Sequence, residues 1–337
     1  MIVLGIESSC DETSVAILTN GKITANLISS QDFHKKFGGV VPELSSRAHL
    51  QIVNPLVKEA LQKSSISLND VELITATAGP GLIGALLVGL TYAKGLSYSL
   101  NKPFIGVNHI EGHIFSGFLM EEKPEFPFIA LVVSGGHTLL LLVKSFTEIV
   151  KLGSTVDDAA GEAFDKVSKM LGLGYPGGPK IQAAALNGDH KKINFPIAQL
   201  KDPYNFSFSG IKTSVLRYVQ SINGKMNEQI IYDIAASFQF AVVQALIRKL
   251  EKAIQNFNIK SISVVGGVAA NKMLRESASE LANKYDLKLI IPAFEYCGDN
   301  AAMIAFRGES LYAAGIRDTL GSKPFPGLSE NHFSDVL

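Results

Sequence analysis

The chain has 337 residues, 47% hydrophobic and 18% charged, with 31 Lys and Arg balanced by 31 Asp and Glu. That length predicts two domains with sizeable cores, the apolar content excludes an intrinsically disordered chain, and zero net charge argues against coating nucleic acid by overall charge. Two cysteines, Cys10 and Cys297, form no CxxC pair, and interrupted apolar runs near 82–93 and 128–143 predict no membrane span, hence a cytoplasmic location.

Apolar runs bounded by polar turns predict strands over 2–6, 14–18 and 23–29. A helical period through Leu44, Ala48, Ile52, Leu56 and Ala60 predicts a helix over about 42–62. A strand over 73–77, a Gly loop over 78–81, a helix over 82–100, a strand over 104–107 and a helix from about His109 complete this half. The acidic, Pro-containing stretch 121–127 reads as a linker. Beyond it we expect strands over 128–133, 139–143 and 149–152, then helices over about 157–171, 179–187, 211–220 and 228–256. A strand over 262–265, the loop 266–271, a helix to Lys284, a strand over 287–291 and a helix starting near Asp299 follow. The order recurs in the two halves, which predicts a duplicated α/β architecture with a ligand cleft.

Four constellations carry chemistry. The turn Glu7-Ser8-Ser9-Cys10-Asp11-Glu12 offers hydroxyls, amides and carboxylates to a phosphate, a metal or a nucleophile, although Ser and Asp are also ordinary turn formers. Its counterpart, Ser134-Gly135-Gly136-His137-Thr138, frees two amides for an anion, or is simply a tight hairpin. Gly79-Pro80-Gly81 and Gly266-Gly267 each lead a strand into a helix and aim its N-terminus at a ligand, with Asn271 placed for a ribose or base; an ordinary turn reads the same.

The fourth is the sharpest. His109 and His113 project from one helix face at i and i+4. Asp299, expected as the N-cap at the corresponding junction of the second half, would complete a site for zinc or ferrous iron if the junctions face each other across the cleft. The competing reading is two surface histidines and a capping acid. Glu111 is not adjacent to His109 as in H-E-x-x-H and turns about 200° away from it, which demotes a protease. His34, His49, His190 and His332 show no partner pattern and are expected at the surface. Arg248, Lys249 and Lys252 are expected as a solvated helix face.

Together these segments resemble the TsaD (Gcp) family, the tRNA N6-adenosine threonylcarbamoyltransferases. The resemblance rests on GIESSCDETSVAI, GGVVPELSSRAH, TAGPGLIGALLVG, NHIEGH, LVVSGGHT, DDAAGEAFDKVSKMLGLGYPGGP, FSFSGIKT, GGVAANKMLR and CGDNAAMIA, in order along nearly the whole chain. It implies an actin/Hsp70/sugar-kinase-like α/β fold of two duplicated ribonuclease-H-like lobes, one of residues 1–120 plus about 300–337, the other of 127–299. It implies transfer of threonylcarbamoyl from threonylcarbamoyl-AMP to N6 of the adenosine adjacent to the anticodon, in tRNAs reading codons that begin with A, with release of AMP.

By the same resemblance, one divalent metal ion per subunit, ferrous iron ahead of zinc, falls on His109, His113 and Asp299. Substrate contacts fall on Val132, Val133, Ser134, Gly135, Gly136, Asp165, Gly178 and Asn271, with Gly266 and Gly267 beside them. Asp11 and Glu12 become the catalytic carboxylates. Gln182 stands where many members carry an acid suited to a ribose hydroxyl. Implied partners are tRNA and TsaB-like and TsaE-like proteins, without a membrane. An ATP-binding switch on the same fold and the endopeptidase label once attached to the family are the alternatives. A tRNA enzyme of zero net charge needs a local basic surface, with Arg47, Lys191, Lys192 and Lys212 as candidates.

Overall fold

β1 (Ile2–Glu7) and β2 (Glu12–Thr19) pair antiparallel across the first polar turn, Ile2 opposite Thr19 and Glu7 opposite Ser14. Both strands are buried on both faces, so helices must cover each side of their sheet. β3 (Lys22–Ser30) adds antiparallel to β2, while β4 (Leu73–Gly79) and β5 (Phe104–Asn108) add in parallel beyond β1. The resulting order is β3-β2-β1-β4-β5. α1 (Pro42–Lys63) and α2 (Ile83–Leu100) cover one face, where Val57, Ala60, Leu90 and Ala93 join Leu4, Ile6, Val15 and Ile74 in one core. α3 (His109–Phe115) follows β5 without a loop.

The second sheet contains β6 (Phe128–Val133), β7 (Thr138–Val143), β8 (Ile149–Ser154), β9 (Ser261–Val265) and β10 (Lys288–Ile290). β6, β7 and β8 are joined antiparallel, whereas β9 and β10 lie parallel to β6. The order β8-β7-β6-β9-β10 therefore repeats that of the first sheet, strand for strand and sense for sense. The duplication is one of topology. Between β8 and β9 run α4 (Ala160–Met170), α5 (Gly177–Ala185), α6 (Ser209–Ser221) and α7 (Glu228–Asn256), and α8 (Lys272–Lys284) precedes β10. Among the described helices α7 alone is long and apolar enough to cross a membrane, but most of that stretch is buried in the protein, as a core helix would be.

The computed structural model describes residues 1–222, 224–328 and 332–335. They form two units, unit 1 from Met1–Lys123 with Pro292–His332, and unit 2 from Pro124–Ile291 with residues from Phe333. The sequence places the end of the second lobe at 299, yet the chain returns to unit 1 at Pro292. Burial explains the return. After the short α9 (Phe294–Cys297), α10 (Ala301–Ala313) packs Ala301–Ala305 against Val3, Leu18, Leu73, Ile105 and Val107, covering the remaining face of the first sheet. β11 (Ser334–Asp335), not foreseen from sequence, adds two residues to β8.

Candidate metal centre and nucleotide cavity

Asn108 caps α3, its Oδ1 accepting from the Ile110 N–H at 2.8 Å and the Glu111 N–H at 3.2 Å. The cap starts the helix at His109 and places the rings of His109 and His113 one turn apart, 4.7 Å between centroids. Asp299 arrives between α9 and α10. Its Oδ1 lies 3.1 Å from His113 Nε2 and 3.4 Å from His109 Nε2. One ligand atom from each of the three falls within 4.8 Å of the others. All three residues belong to unit 1, so the group is not divided between the halves as the sequence places it. Nor is Asp299 the N-cap of α10. Asn300 fills that position, accepting from the Met303 N–H at 3.1 Å, and the Asp299 carboxylate is left to the histidines.

Glu7, fully buried at the end of β1, stands behind His109. Its carboxylate accepts from the Ser9 N–H and the Thr77 hydroxyl, and lies 3.1 Å from His109 Nδ1. Burial is the strongest influence on Glu7 and opposes its charge, but His109 and Ser9 outweigh it and hold the carboxyl below its ordinary value. Asp299 behaves alike: burial opposes ionisation, and His109 with His113 holds it well below the usual carboxylate range. His109, between the two acids, is raised well above the ordinary histidine value against its own burial. One imidazolium thus faces two carboxylates, Glu7 fully buried and Asp299 half-buried. The surplus negative charge reaches the turn above, where burial first and then Asp299 push Glu12 up to about 7. Burial, Asp11 and Asp299 likewise push the Cys10 thiol up, which makes it a poor nucleophile.

This donor set fits a divalent cation. Two imidazole nitrogens and one carboxylate converge, and a dication in place of the His109 proton balances both Glu7 and Asp299. His109 Nδ1–H then donates to Glu7, the contact that sets tautomer and ring orientation for a metal-binding histidine. His113 Nδ1 is buried without a hydrogen-bond partner among the described residues, so that ring is positioned by packing alone on this side. Sequence reasoning treats Glu7 as one more acid of a polar turn. The missed signal is a carboxylate closing an otherwise apolar strand.

In unit 2 a cavity of about 300 Å³ is lined by Gly135, Asp165, Gly178, Gln182, Gly267 and Asn271, together with Phe164 and Tyr175. The N-termini of α4 and α5 both reach it, through Gly161 and Gly178. A Cβ on Gly161 would lie 2.6 Å from the Ser134 carbonyl oxygen, so glycine there lets α4 start against the Ser134-Gly135 loop. Gly266 has φ 94°, and a Cβ on it would lie 2.5 Å from the Val133 carbonyl oxygen, which docks the second Gly loop on β6. Exposed helix amides and backbone at glycine suit an anionic group.

The remaining expected contacts are placed differently. Val132 and Val133 are fully buried inside β6, and Ser134, Gly136 and Gly266 do not line the cavity. Asn271 lines it, but its amide caps α8 through the Leu274 N–H and donates to Gln239 Oε1 at 2.7 Å. Asp165 accepts from the Gly177 N–H at 2.6 Å, and Gln182 Oε1 from the Lys272 N–H at 2.7 Å. Gln182 therefore commits one lone pair of its oxygen to the Lys272 N–H and offers its NH₂ group as a donor, where an acid would only accept.

The family profile described as TsaD, tRNA N6-adenosine threonylcarbamoyltransferase, matches residues 22–306. The tRNA N6-adenosine threonylcarbamoyltransferase of Thermosipho africanus is 54% identical over 97% of this chain and 99% of its own. That of Symbiobacterium thermophilum is 48% identical over 97% and 96%. The chain belongs to the TsaD family. Among solved structures, T. kodakarensis HypF superposes with TM-score 0.63 at 15% identity, over 93% of this chain and 48% of that one. The Clostridium difficile activator of 2-hydroxyisocaproyl-CoA dehydratase gives 0.51 at 14% identity, over 95% and 99%. These two likenesses speak for the fold, which is of the actin/Hsp70/sugar-kinase kind.

In this TsaD chain the Glu111 carboxylate is engaged by partners other than the histidine pair. Its carboxylate takes Arg307 Nε at 2.7 Å and His332 Nε2 at 3.0 Å, and these partners hold it below its ordinary pKa against burial. The endopeptidase reading loses its base. His34 and His49, expected at the surface, are both buried. His49 Nε2 donates to the Cys10 carbonyl at 3.0 Å and its Nδ1 faces Thr13 Oγ1 at 2.7 Å, while His34 Nδ1 accepts from the Val41 N–H. They tie the turn carrying Asp11 and Glu12 to α1 and the segment before it. The Cys10 and Thr13 partners of His49 lie far off in sequence, so no local pattern betrays it, whereas His34 is held locally, by Gln31 Oε1 at 2.9 Å and the Val41 N–H.

Proposed function

We propose that this chain transfers the threonylcarbamoyl group of threonylcarbamoyl-AMP to N6 of the adenosine adjacent to the anticodon, in tRNAs reading codons that begin with A, and releases AMP. It is a tRNA N6-adenosine threonylcarbamoyltransferase by family. The observation that carries the reading is the convergence of His109, His113 and Asp299, backed by Glu7, in a near full-length member of that family. We assign the triad to one divalent ion, ferrous iron ahead of zinc, since two imidazoles and a carboxylate suit either. When bound, such an ion supplies Lewis acidity toward a carbonyl oxygen.

The adenylate is assigned to the unit 2 cavity, with its anionic group at the Gly135, Gly161 and Gly178 backbone. In the transfer the N6 lone pair attacks the carbamoyl carbon, the bond from that carbon to the phosphate oxygen breaks, and AMP leaves with the electron pair. The N6 proton needs an acceptor. Glu12, pushed up to about 7, is matched to that task near neutral pH, and Asp11 is assigned to orienting the amine. We place the enzyme in the cytoplasm with TsaB-like and TsaE-like partners.

The test is to incubate the chain, with those partners, with threonylcarbamoyl-AMP and an anticodon stem-loop, followed by nucleoside mass analysis. The expected outcome is threonylcarbamoyladenosine with matching AMP. ATP turnover without modified nucleoside would instead support the kinase-like alternative.

A further inference from the structure

The cations nominated from sequence divide in the structure. Arg47 is taken by Glu43 at 2.7 Å, and Lys212 by Asp158, which also holds Lys166. Lys191 and Lys192 are exposed and make no ion pair among the described residues. Lys191 lines a groove of about 390 Å³ with His190, Phe240 and Arg248. A second groove of about 350 Å³ shares Ile197 and Arg248 with it and adds Lys201, Lys249 and Lys252. Neither is lined by a carboxylate. In a chain with as many acids as bases, five Lys and Arg along one continuous depression are a local departure from composition. The nearby acids are Asp202, exposed beside Lys201 and acting on Lys249, Asp189, which accepts from the Lys191 N–H at 2.9 Å, and Asp157, which accepts from the Ser207 hydroxyl.

Two parts of unit 2 build this surface. α7 contributes a stripe of Ser237, Ala241, Ala245, Arg248 and Lys252, small residues leading to cations at helical spacing. Facing it, residues 189–205 form no helix or strand, a length of irregular chain that compact domains usually keep for function. Lys249 Nζ donates to the Pro203 carbonyl at 3.0 Å and pins this segment to α7. At one end Phe240 is 36% exposed, with the His190 ring 4.6 Å away.

We propose that this double groove binds the tRNA substrate, with Lys191, Lys201, Arg248 and Lys252 on backbone phosphates and Phe240 with His190 as a platform for an unpaired base. The inference rests on the tRNA reading above. Cations tracking a groove beside an exposed aromatic are the recognition chemistry of single-stranded and looped RNA. The test measures binding of an unmodified tRNA transcript to the full-length chain by fluorescence anisotropy between about 50 and 200 mM salt. A triple variant, Lys201→Gln, Arg248→Gln and Lys252→Gln, is expected to weaken binding about tenfold or more at low salt and to flatten the salt slope by about 3. Phe240→Ala is expected to weaken binding without changing the slope, because stacking releases no counterions. Lys58→Gln with Lys63→Gln, exposed on α1, serves as the charge control and should change neither.

In the transfer assay the triple variant should raise the KM for tRNA while leaving the KM for the donor and metal content unchanged. Wild-type affinity and slope in a triple variant with native melting overturns the proposal, as does an effect confined to binding of an acidic protein partner. If the wild type binds tRNA through the groove yet makes no modified nucleoside, the functional reading fails and the groove stands.

Discussion

Glu7 and Glu12, five positions apart, illustrate how placement divides carboxylates by role. Glu7 is ionised inside the protein because Ser9, Thr77 and His109 surround it with donors. Glu7→Gln keeps the shape but removes the charge and one of the two oxygens that accept from Ser9 on one side and from Thr77 and His109 on the other. The expected result is metal affinity about 10–100-fold weaker, read by titration with zinc or by the cobalt absorption spectrum. Wild-type affinity and spectrum would remove Glu7 from the site. Glu12 is shifted the other way, by burial and by Asp299, to about 7. A raised carboxyl keeps its proton until the pH nears that value. The base form therefore grows as pH rises through about 7, and single-turnover transfer should climb and then level off. By the same sign, Glu12 favours the folded state below its ordinary value of 4.5, and that contribution is lost as pH rises to about 7. Glu12→Gln should abolish the rising limb; a limb that persists assigns the proton to another group.

At the scale of elements, the strongly periodic segments were legible and the junctions were not. The apolar pattern of α7 marks Glu228–Asn256, the bounds observed, and the i and i+4 spacing of His109 and His113 is geometry a helix enforces. α4 begins at Ala160 rather than 157 because Asp157 and Asp158 are engaged elsewhere. Asp157 accepts from the Phe208 N–H at 2.8 Å, and Asp158 holds Lys166 and Lys212. The cap of α10 was misplaced by one residue because Asp and Asn are equally good caps and stand side by side. The structure distinguishes them by burial: Asn300 is fully enclosed, and its Nδ2 donates to the Gly298 carbonyl at 2.9 Å while its Oδ1 caps the helix. Asn300→Ala should cost about 1–2 kcal/mol in denaturant melts, from the lost cap and the carbonyl left unpaired. Because Asp299 precedes it, metal affinity should fall too, whereas Asn300→Ser, which keeps a cap acceptor without placing a charge in the enclosed site, should retain more of both.

For the whole molecule, duplication was readable as a recurring order of strands, but the path of the chain between units was not. Composition does not report which sheet an alanine-rich helix will cover. α10 carries Ala301, Ala302, Met303, Ile304 and Ala305 into the core of the first sheet, from a position 178 residues beyond Lys123, where the first part of that unit ends. Residues 1–123 alone would leave that face bare. Burying a side chain such as Met303 or Ile304 is worth about 1.5–3 kcal/mol, and a domain's net stability is only about 5–15 kcal/mol. A fragment of 1–123 is therefore expected to show no cooperative thermal transition by circular dichroism, and no cobalt binding, since it also lacks Asp299. A fragment of 124–291 retains its five principal strands and α4 to α8, and should melt cooperatively. Adding a 292–332 peptide to the 1–123 fragment should restore both the transition and the cobalt spectrum. Cooperative folding of 1–123 by itself would show that the segment leading into α10 brings Asp299 to the histidines without α10 being needed for the core it covers.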